Sequence, residues 1–369
     1  MRRAASTFDR PRLRAAPIGK SIAVLIAALC LLAGCQRESA VTREQLHVFG
    51  SIAQIEIRAA PRARAERALA EISARLRQRE REWHPWEPSD LTRINAAFHN
   101  GQSVQAPDSI IAMIGRAQDF AVRSDGLFDP AVGGLVEMWG FHTSHYPVAT
   151  PAPTRQQIEL WLQQRPRIAD VRIQGHRLET SNRAVQLDFN AMAEGVAAGE
   201  MAAILRKHGI GHALINMGGD VLALGDGDGK PWEVGMRDPF GDALGWVDLG
   251  GSEALFSSGD YNKFRQTRQG ERWGHILDPR TGLPAHQAAA TVVLADDPVL
   301  ADAAATALMV AGPAGFERLI ERMNLGCALM LTEKNQLLIT RAMKSRTHFL
   351  REPAAFGPVL EAGDNCGVR

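Results

Sequence analysis

The sequence predicts an α+β protein in which antiparallel strands and several long helices form one large domain. Short stretches that alternate apolar and polar residues dominate from residue 171 onward, and two of them flank a Gly-His turn as in a β-hairpin. Longer stretches upstream repeat apolar residues at helical spacing instead. This mixture of antiparallel hairpins and a few long helices favours an α+β fold over a doubly wound sheet, and no GxGxxG motif opens a helix.

Composition and charge favour a globular protein and exclude other classes. The chain has 369 residues, of which 45% are hydrophobic and 22% charged, which is typical of a folded protein rather than a disordered or fibrous one. That length suffices for one large core or two smaller ones. The formal net charge is +1 and no basic block recurs after residue 20, so nucleic-acid binding has little electrostatic support.

The N-terminus has the pattern of a bacterial lipoprotein signal peptide. Basic residues crowd positions 2–20, an apolar run covers 22–32, and small residues lead into Cys35 as in a lipobox. We expect a signal peptide over residues 1–34, a lipidated Cys35 and a tether over residues 35–46. The run is short for a spanning helix, and an uncleaved membrane anchor is the alternative.

This leader places the protein in the bacterial cell envelope, lipid-anchored and facing the periplasm. Gln36 is not the aspartate that retains enteric lipoproteins at the inner membrane, so either membrane is compatible. Cys327 and Cys366 are the thiols left in this oxidising setting. Cys327 lies in an apolar run and is expected to be a small buried residue; a disulfide with Cys366 is the alternative that sequence does not test.

The first half of the mature chain predicts one strand and two helices. Residues 48–58 alternate as a half-buried strand does. Helical spacing predicts amphipathic helices over residues 64–82 and 107–122, the second with a proline suited to its first turn. A proline-rich passage over residues 145–153 is the one obvious long loop.

Strands predominate beyond residue 170. They are expected at residues 171–173, 177–179, 184–188, 213–217, 232–236 and 254–257. A helix is predicted over residues 195–208, ending at Gly209. We assign these elements to one domain over residues 47–350, with residues 351–369 as a polar tail.

Two polar clusters in the C-terminal half indicate chemistry. Residues 275–284 contain His275, Asp278, an arginine, a threonine and two prolines, too many polar groups for a strand to bury without a purpose. Asp302 and Thr306 lie four residues apart in an alanine-rich helical run, so both oxygens project from one helix face. Because hard cations take such oxygen ligands, the clusters predict a magnesium-dependent site that handles phosphates.

Four further motifs precede these clusters. They are Ser-Asp-Gly-Leu-Phe-Asp-Pro at 124–130 with Trp-Gly-Phe at 139–141, Asp-Phe-Asn-Ala-Met-Ala-Glu-Gly at 188–195, Asn-Met-Gly-Gly-Asp at 216–220 and Ser-Ser-Gly-Asp-Tyr at 257–261. In this order and spacing, the six motifs resemble those of the ApbE family, the bacterial FAD:protein FMN transferases. The resemblance runs from Phe-Gly-Ser at 49–51 to about residue 312.

The resemblance implies a fold, an activity and cofactor contacts. The fold would be ApbE-like and T-fold-related, with antiparallel sheets, packed helices and an FAD cleft between two lobes. The activity would be magnesium-dependent transfer of FMN from FAD to a threonine or serine hydroxyl of an acceptor flavoprotein, releasing AMP. FAD contacts would come from Phe49, Trp86, Leu127, Phe128, Asp129, Asp188, Glu194, Gly218, Gly219 and Leu277.

Some of these contacts also have a physical rationale. Gly218 and Gly219 end a strand where the backbone can approach a bulky ligand, although such a pair alone is more often a tight turn. Phe128 offers an aromatic face beside Asp129, a hydrogen-bond acceptor. Trp86 lies in the segment that corresponds to the family's flexible loop and is our choice for the cover of the isoalloxazine; packing at a core edge is the alternative.

The resemblance also implies a metal site and a base. The Mg²⁺ ligands would be Asp302, Thr306 and the backbone carbonyl of Ala191. A histidine suits proton removal near neutral pH, so His275 is the candidate base. The possible orienting or alternative carboxylates are Asp260 and Asp278.

The chain departs from the commonest family pattern at Glu194. Many members have Ala-Lys-Gly where this sequence has Ala-Glu-Gly, so a cationic contact is absent and the partner of Glu194 is left open. Two weaker signals favour structural roles. The Gly-Asp-Gly-Asp-Gly run at 225–229 lacks the glutamate of a calcium loop, and His142, His145 and His176 show no metal-ligand spacing.

The resemblance names classes of partner. Family acceptors are subunits of sodium-pumping quinone reductase (Nqr) and Rnf-type electron-transfer complexes, or exported flavoproteins with an Asp-x-x-(Ser/Thr)-Gly-Ala-(Ser/Thr) motif. Two alternatives to the transferase would use the same residues. One is an FAD pyrophosphatase that releases FMN and AMP, and the other is a non-catalytic FAD-binding lipoprotein.

Overall fold

The computed structural model describes residues 41–266, 270, 272–350, 355–361 and 366. The expected signal peptide and Cys35 lie outside these residues. The helices within them are α1 (Arg62–Trp83), α2 (Asp90–His99), α3 (Asp108–Arg123), α4 (Gly133–Met138), α5 (Arg155–Gln164), α6 (Asn190–Lys207), α7 (Pro298–Met323) and α8 (Arg341–Arg346), with a 3₁₀ turn at Ile168–Asp170.

The strands form one large sheet and three small ones. They are β1 (Thr42–Val48), β2 (Ser51–Ile57), β3 (Val104–Gln105), β4 (Val171–Gln174), β5 (Arg177–Thr180), β6 (Ala213–Met217), β7 (Asp220–Leu224), β8 (Trp232–Arg237), β9 (Ala243–Leu249), β10 (Ala254–Gly259), β11 (Phe264–Gln266), β12 (Arg272–Gly274), β13 (Ala288–Ala295), β14 (Cys327–Thr332), β15 (Gln336–Thr340), β16 (Thr347–Phe349) and β17 (Ala355–Leu360). The main sheet has the order β1-β2-β6-β7-β10-β13-β14-β15-β17 and is antiparallel except between β15 and β17. The predicted α+β class is confirmed.

The middle of the main sheet is covered on both faces. Helices α1, α6 and α7 pack against one face, in a core that includes Ile55, Ala197 and Leu308. The small sheet β16-β9-β8 packs against the other face, where Val247 meets Val292 in a second core. Every residue of β13 and β14 is therefore buried, and neither strand alternates in sequence.

Helix α7 lies at the centre of the larger core. Asp297 caps it by accepting the Val299 N–H at 3.0 Å, and Pro298 occupies its first turn. Gly312, with φ +62°, breaks the helix before Pro313. Within the described ranges, α7 is long and apolar enough to cross a membrane, but 67% of its apolar window is buried inside the protein, as in a core helix.

Several element predictions need correction. The expected strand over residues 48–58 is the end of a hairpin, whose first strand β1 starts at Thr42 inside the expected tether. Residues 184–188 make only an isolated bridge at Gln186, because Asn182 and Asp188 bond to local backbone instead. Helix α6 begins at Asn190, five residues ahead of the predicted start, where the Asp188 carboxylate accepts the first N–H.

Cys327 and Cys366 form a disulfide, with Cα atoms 4.9 Å apart. Both residues are buried, so the expected burial of Cys327 is confirmed, and so is the disulfide with Cys366 that was the alternative. The bond and strand β17 attach the segment that was expected to be a polar tail to the main sheet.

Candidate functional site

Three acidic side chains from different elements meet beside the main sheet. Glu194 lies in α6, Asp302 in α7 and Asp220 at the start of β7. Asp302 Oδ2 accepts the Gly195 N–H at 2.9 Å. A Cβ on Gly195 would lie 2.5 Å from the Pro298 carbonyl oxygen, so only glycine lets the two helices approach this closely. We call Glu194, Asp220 and Asp302 the carboxylate cluster.

Burial raises the pKa of each member of the carboxylate cluster, and repulsion between carboxylates adds to the effect at Asp302 and Asp220. Burial, followed by repulsion from Glu194, raises the pKa of Asp302 to about 8. Burial raises the pKa of Glu194 to about 7, against the opposing positive charge of Lys263. The pKa of Asp220 is well above its usual value because of burial and the charges of the other two carboxylates. A divalent cation near these carboxylates would relieve the repulsion between them.

The oxygen atoms around Asp302 suit a hard cation. Thr306, one turn farther along α7, places its Oγ1 3.2 Å from Ser258 Oγ. The Gly195 N–H that Asp302 binds is the one that a regular helix directs to the Ala191 carbonyl, so that carbonyl lies beside the same carboxylate. The structure thus brings the predicted ligands Asp302, Thr306 and Ala191 together.

These donors fit magnesium better than a metal that prefers nitrogen or sulfur. In the part of the chain that the structure describes, no group of three His, Cys, Asp or Glu side chains could by itself hold a metal ion. Magnesium is commonly held by one or two carboxylates with other oxygens and water. A site of carboxylate, hydroxyl and carbonyl oxygens is of this kind.

The β6–β7 turn closes one side of the carboxylate cluster. A Cβ on Gly218, where φ is +66°, would lie 2.4 Å from Ser51 Oγ and 3.9 Å from Glu194 Oε2. Gly219 has φ +121° and open space at its Cβ position. Gly218 is therefore needed for close packing, whereas Gly219 has open space beside it. The following Asp220 accepts the Ser257 N–H at 2.7 Å.

His275 directly follows β12, and its tautomer can be assigned from its partners. Its Nδ1 lies 3.2 Å from the Lys263 carbonyl oxygen, which also accepts the His275 backbone N–H at 3.1 Å. Because a carbonyl only accepts, Nδ1 carries the proton and Nε2 has the free lone pair. Burial, and then the positive charge of Lys263, lowers the pKa of His275 to about 4. The imidazole is therefore neutral at pH 7, with Nε2 as a proton acceptor.

The structure separates the two alternative carboxylates. Asp278 accepts the backbone N–H of Arg280 at 2.8 Å and its guanidinium at 2.8 and 3.0 Å, so it holds its own turn together. Asp260 lies against Gly274, where an added Cβ would be 2.4 Å from the Asp260 Cβ, and burial raises its pKa. Asp260 is thus the carboxylate that lies near the base candidate, while Asp278 has a structural role.

A second group of side chains surrounds Trp86. Its indole stacks on the His142 imidazole, with ring centroids 5.2 Å apart and planes 23° from parallel. His142 Nε2 lies 3.1 Å from Asp188 Oδ2, and Asp188 Oδ1 accepts the Asn190 N–H at 3.0 Å. The charge of Asp188 also acts on His275, so this group and the base candidate belong to one site.

Phe49 occupies an unfavourable backbone conformation. It has φ +54° and precedes Gly50, at φ +67°, in the turn between β1 and β2. A left-handed conformation costs a residue with a Cβ about 1–2 kcal/mol. Stacking on Trp83, with centroids 5.7 Å apart and planes 12° from parallel, offsets part of this cost. The strained turn therefore places the ring of Phe49 against Trp83.

Three of the predicted cofactor contacts have buried side chains. Phe128 is 2% exposed and packs edge-on against Phe120, 6.1 Å between centroids. Asp129 Oδ1 accepts the backbone N–H groups of Ala131 and Ile168, both at 2.9 Å, and burial raises its pKa to about 6. Leu277 is likewise buried, in a small apolar cluster. The side chains of Phe128 and Leu277 therefore pack in the core, whereas that of Leu127 is part-exposed.

Sequence reasoning missed four residues of the site. In the sequence, Asp220 is only the last residue of a motif, and Ser258 is one residue of another. His142 shows no metal-ligand spacing with other histidines, and no local pattern marks Lys263. The structure connects Lys263 electrostatically to both Glu194 and His275. None of these relations is visible before the fold brings the segments together.

The fold and the site define an α+β enzyme that combines a cluster of buried carboxylates with a neutral histidine. Within that class, the chain belongs to the ApbE family, whose model matches residues 49–331.

Relatives and a solved structure agree with this assignment. The FAD:protein FMN transferase of Rhodobacter capsulatus is 40% identical over 304 residues, which cover 82% of this chain and 58% of the relative's length. The enzyme of the same name from Treponema pallidum is 31% identical over 79% of this chain and 85% of its own. The crystal structure of Pseudomonas stutzeri flavinyl transferase ApbE, in its apo form, superposes with a TM-score of 0.72 at 28% identity, covering 84% of this chain and 97% of that one.

Proposed function

We propose that the protein transfers FMN from FAD to a threonine or serine hydroxyl of an acceptor protein, with Mg²⁺ bound. The hydroxyl oxygen forms a phosphoester bond with the phosphorus of the FMN half, and the bond from that phosphorus to the bridging oxygen breaks, so AMP leaves. The observation that carries the proposal is that the charge of Lys263 acts both on Glu194 of the carboxylate cluster and on His275, in an ApbE fold.

The cation site follows from the same residues. Asp302, Thr306 and the Ala191 carbonyl would hold Mg²⁺, and Glu194 and Asp220 would add negative charge around it. When bound, the ion supplies positive charge that stabilises the pyrophosphate and its leaving group. Its binding would also remove the repulsion that raises the carboxylate pKa values.

His275 would accept the proton of the acceptor hydroxyl. Its Nε2 lone pair is free, while Nδ1–H remains on the Lys263 carbonyl and fixes the ring. A pKa of about 4 makes the imidazole a weak base in the free protein. The negative charge of the FAD phosphates would raise this pKa when the substrate binds. Many family members have a lysine where this chain has Glu194. Lys263 would supply a positive charge in its place.

The flavin end of FAD would lie against the aromatic side of the site. We propose that Trp86 covers the isoalloxazine, with Phe49 near the entrance and Asp188 as a polar contact. Leu127 and Gly219 have the exposure that contact requires. These roles are supported by the part-exposed indole of Trp86 and by its fixed stacking partner.

We expect AMP release to depend on the acceptor. Full-length protein in detergent is incubated with FAD, Mg²⁺ and a peptide that carries the Asp-x-x-(Ser/Thr)-Gly-Ala-(Ser/Thr) motif, and AMP and free FMN are separated by chromatography. A transferase forms AMP in equal amount to modified peptide, and little AMP forms when alanine replaces the target hydroxyl residue. Release of AMP and free FMN at the same rate without the peptide would identify a pyrophosphatase, and no AMP would indicate a binding protein.

We also propose that Cys35 is lipidated and that the domain faces the periplasm from a bacterial membrane, close to a membrane-bound Nqr- or Rnf-type acceptor or a similar exported flavoprotein. Confinement to one thin layer raises the effective concentration of the two proteins. The Cys35→Ser variant is expected to move from the membrane to the soluble fraction, as measured by immunoblotting of cell fractions. Equal membrane retention of both proteins would contradict lipid anchoring.

A further inference from the structure

His142 is almost enclosed by groups that the site uses. Its side chain is 9% exposed and that of Asp188 is 4% exposed. The imidazole presents one face to Trp86 and its Nε2 to the Asp188 carboxylate. Because a carboxylate only accepts, Nε2 carries a proton. The hydrogen bond to Asp188 and the stacking on Trp86 together fix the orientation of the ring.

The short loop before α2 holds Trp86 in this arrangement. His84 Nδ1 accepts the Glu87 N–H at 2.9 Å, and the His84 ring meets the indole edge-on at 4.6 Å between centroids. Ser89 Oγ donates to the His84 carbonyl at 2.6 Å, and Ser89 also caps α2. With both ends of the loop anchored, the indole has His142 as its stacking partner and remains part-exposed.

Through Asp188, His142 is also connected to the start of α6. Asp188 accepts the Asn190 N–H at the start of α6, the helix that carries Ala191 and Glu194. The Asp188 N–H donates to the Pro130 carbonyl at 2.8 Å, which fixes the carboxylate on a second segment. A displacement of His142 would therefore affect both the indole and the beginning of α6.

We propose that His142 is a positioning residue of the flavin site. It fixes the positions of Trp86 and Asp188 relative to each other, so that the indole over the isoalloxazine and the start of α6 contact the same FAD molecule. This role rests on the proposed function. Neither contact alone suffices: stacking fixes the indole, and the hydrogen bond fixes the carboxylate. His142 should thus act on FAD binding through Trp86 and Asp188, without contributing to the proton transfer assigned to His275.

The test is a double-mutant cycle on FAD affinity in the full-length protein. His142→Ala is expected to raise the Kd for FAD about three- to tenfold in the parent background, the range of an aromatic pair, and by a smaller factor in a Trp86→Ala background, where only the contact with Asp188 is left to lose. His142→Phe, which keeps only the stacking, and His142→Gln, which keeps only a hydrogen bond, should each give a partial loss. His145→Ala, a change at an exposed neighbour, is the control and should leave the Kd unchanged.

A measurement without FAD keeps the two proposals distinguishable. The fluorescence of Trp86, obtained by subtracting the spectrum of Trp86→Phe, should change in His142→Ala and His142→Gln but much less in His142→Phe. An unchanged Trp86 spectrum, or equal losses of FAD affinity in both backgrounds, would overturn the role of His142. Absence of FAD binding by the unaltered protein would instead overturn the proposed function.

Discussion

Asp302→Asn is expected to lower the rate of FMN transfer at least about a thousandfold, the equivalent of the several kcal/mol that a cation contributes to charge stabilisation. Asp302 is a buried carboxylate that lies beside the Ala191 carbonyl and one turn from Thr306. Asparagine has nearly the same shape and can still accept the Gly195 N–H. Unlike aspartate, asparagine cannot take on the negative charge that is unfavourable at this buried position, so the fold should not be destabilised.

Two measurements separate this loss from unfolding. The melting temperature of the unaltered protein should rise on addition of Mg²⁺, by the few degrees expected at about a hundredfold excess over Kd, whereas that of Asp302→Asn should not respond. Glu317→Gln, which removes an exposed charge from the same helix, is the matched control and should retain both activity and the response. Full transfer activity in Asp302→Asn would rule out this metal site.

His275→Gln is expected to reduce transfer about 10²- to 10⁴-fold, the usual contribution of a positioned general base. Glutamine can bond to the Lys263 carbonyl but offers no lone pair that takes up a proton near neutral pH. FAD affinity should change little, because the imidazole acts on the acceptor hydroxyl. His99→Gln, at an exposed position, is the control. Activity within about threefold of the parent would remove His275 from the chemistry.

The lowered pKa of His275 gives a second, structural test. Between about pH 4 and the ordinary histidine value of 6.5, the unfolded chain binds a proton at this residue that the folded protein does not. The stability linked to His275 is therefore complete above pH 6.5 and decreases as the pH falls toward 4. Urea unfolding at pH 5 and pH 7 should show a larger loss of stability in the parent than in His275→Gln. An equal loss in both would mean that His275 is not held neutral.

The sequence predicts well what depends on local pattern. Helices α1 and α3 follow from apolar spacing, and the β4–β5 hairpin from alternation around a glycine turn. The spacing of Asp302 and Thr306 predicts that both lie on one side of a helix, and both lie in α7.

The sequence does not predict what depends on distant packing. Strands β13 and β14 are covered on both faces and so lack the alternation that marks a strand. Phe128 is the aromatic residue of the motif at 124–130, but its ring packs in the core against Phe120. His142 and Asp188 are 46 residues apart and pair only after the main sheet and α6 have placed them. Such relations need the tertiary structure.

Intact-mass spectrometry of the acceptor tests the central claim most directly. Full-length protein, FAD and Mg²⁺ are mixed with an acceptor flavoprotein that carries the target motif, and the acceptor mass is followed in time. The proposed chemistry predicts a gain equal to FMN less one water, located by fragmentation on a single threonine or serine and absent with Asp302→Asn. An acceptor that keeps its mass while FAD is cleaved, or while FAD remains intact, would contradict transfer.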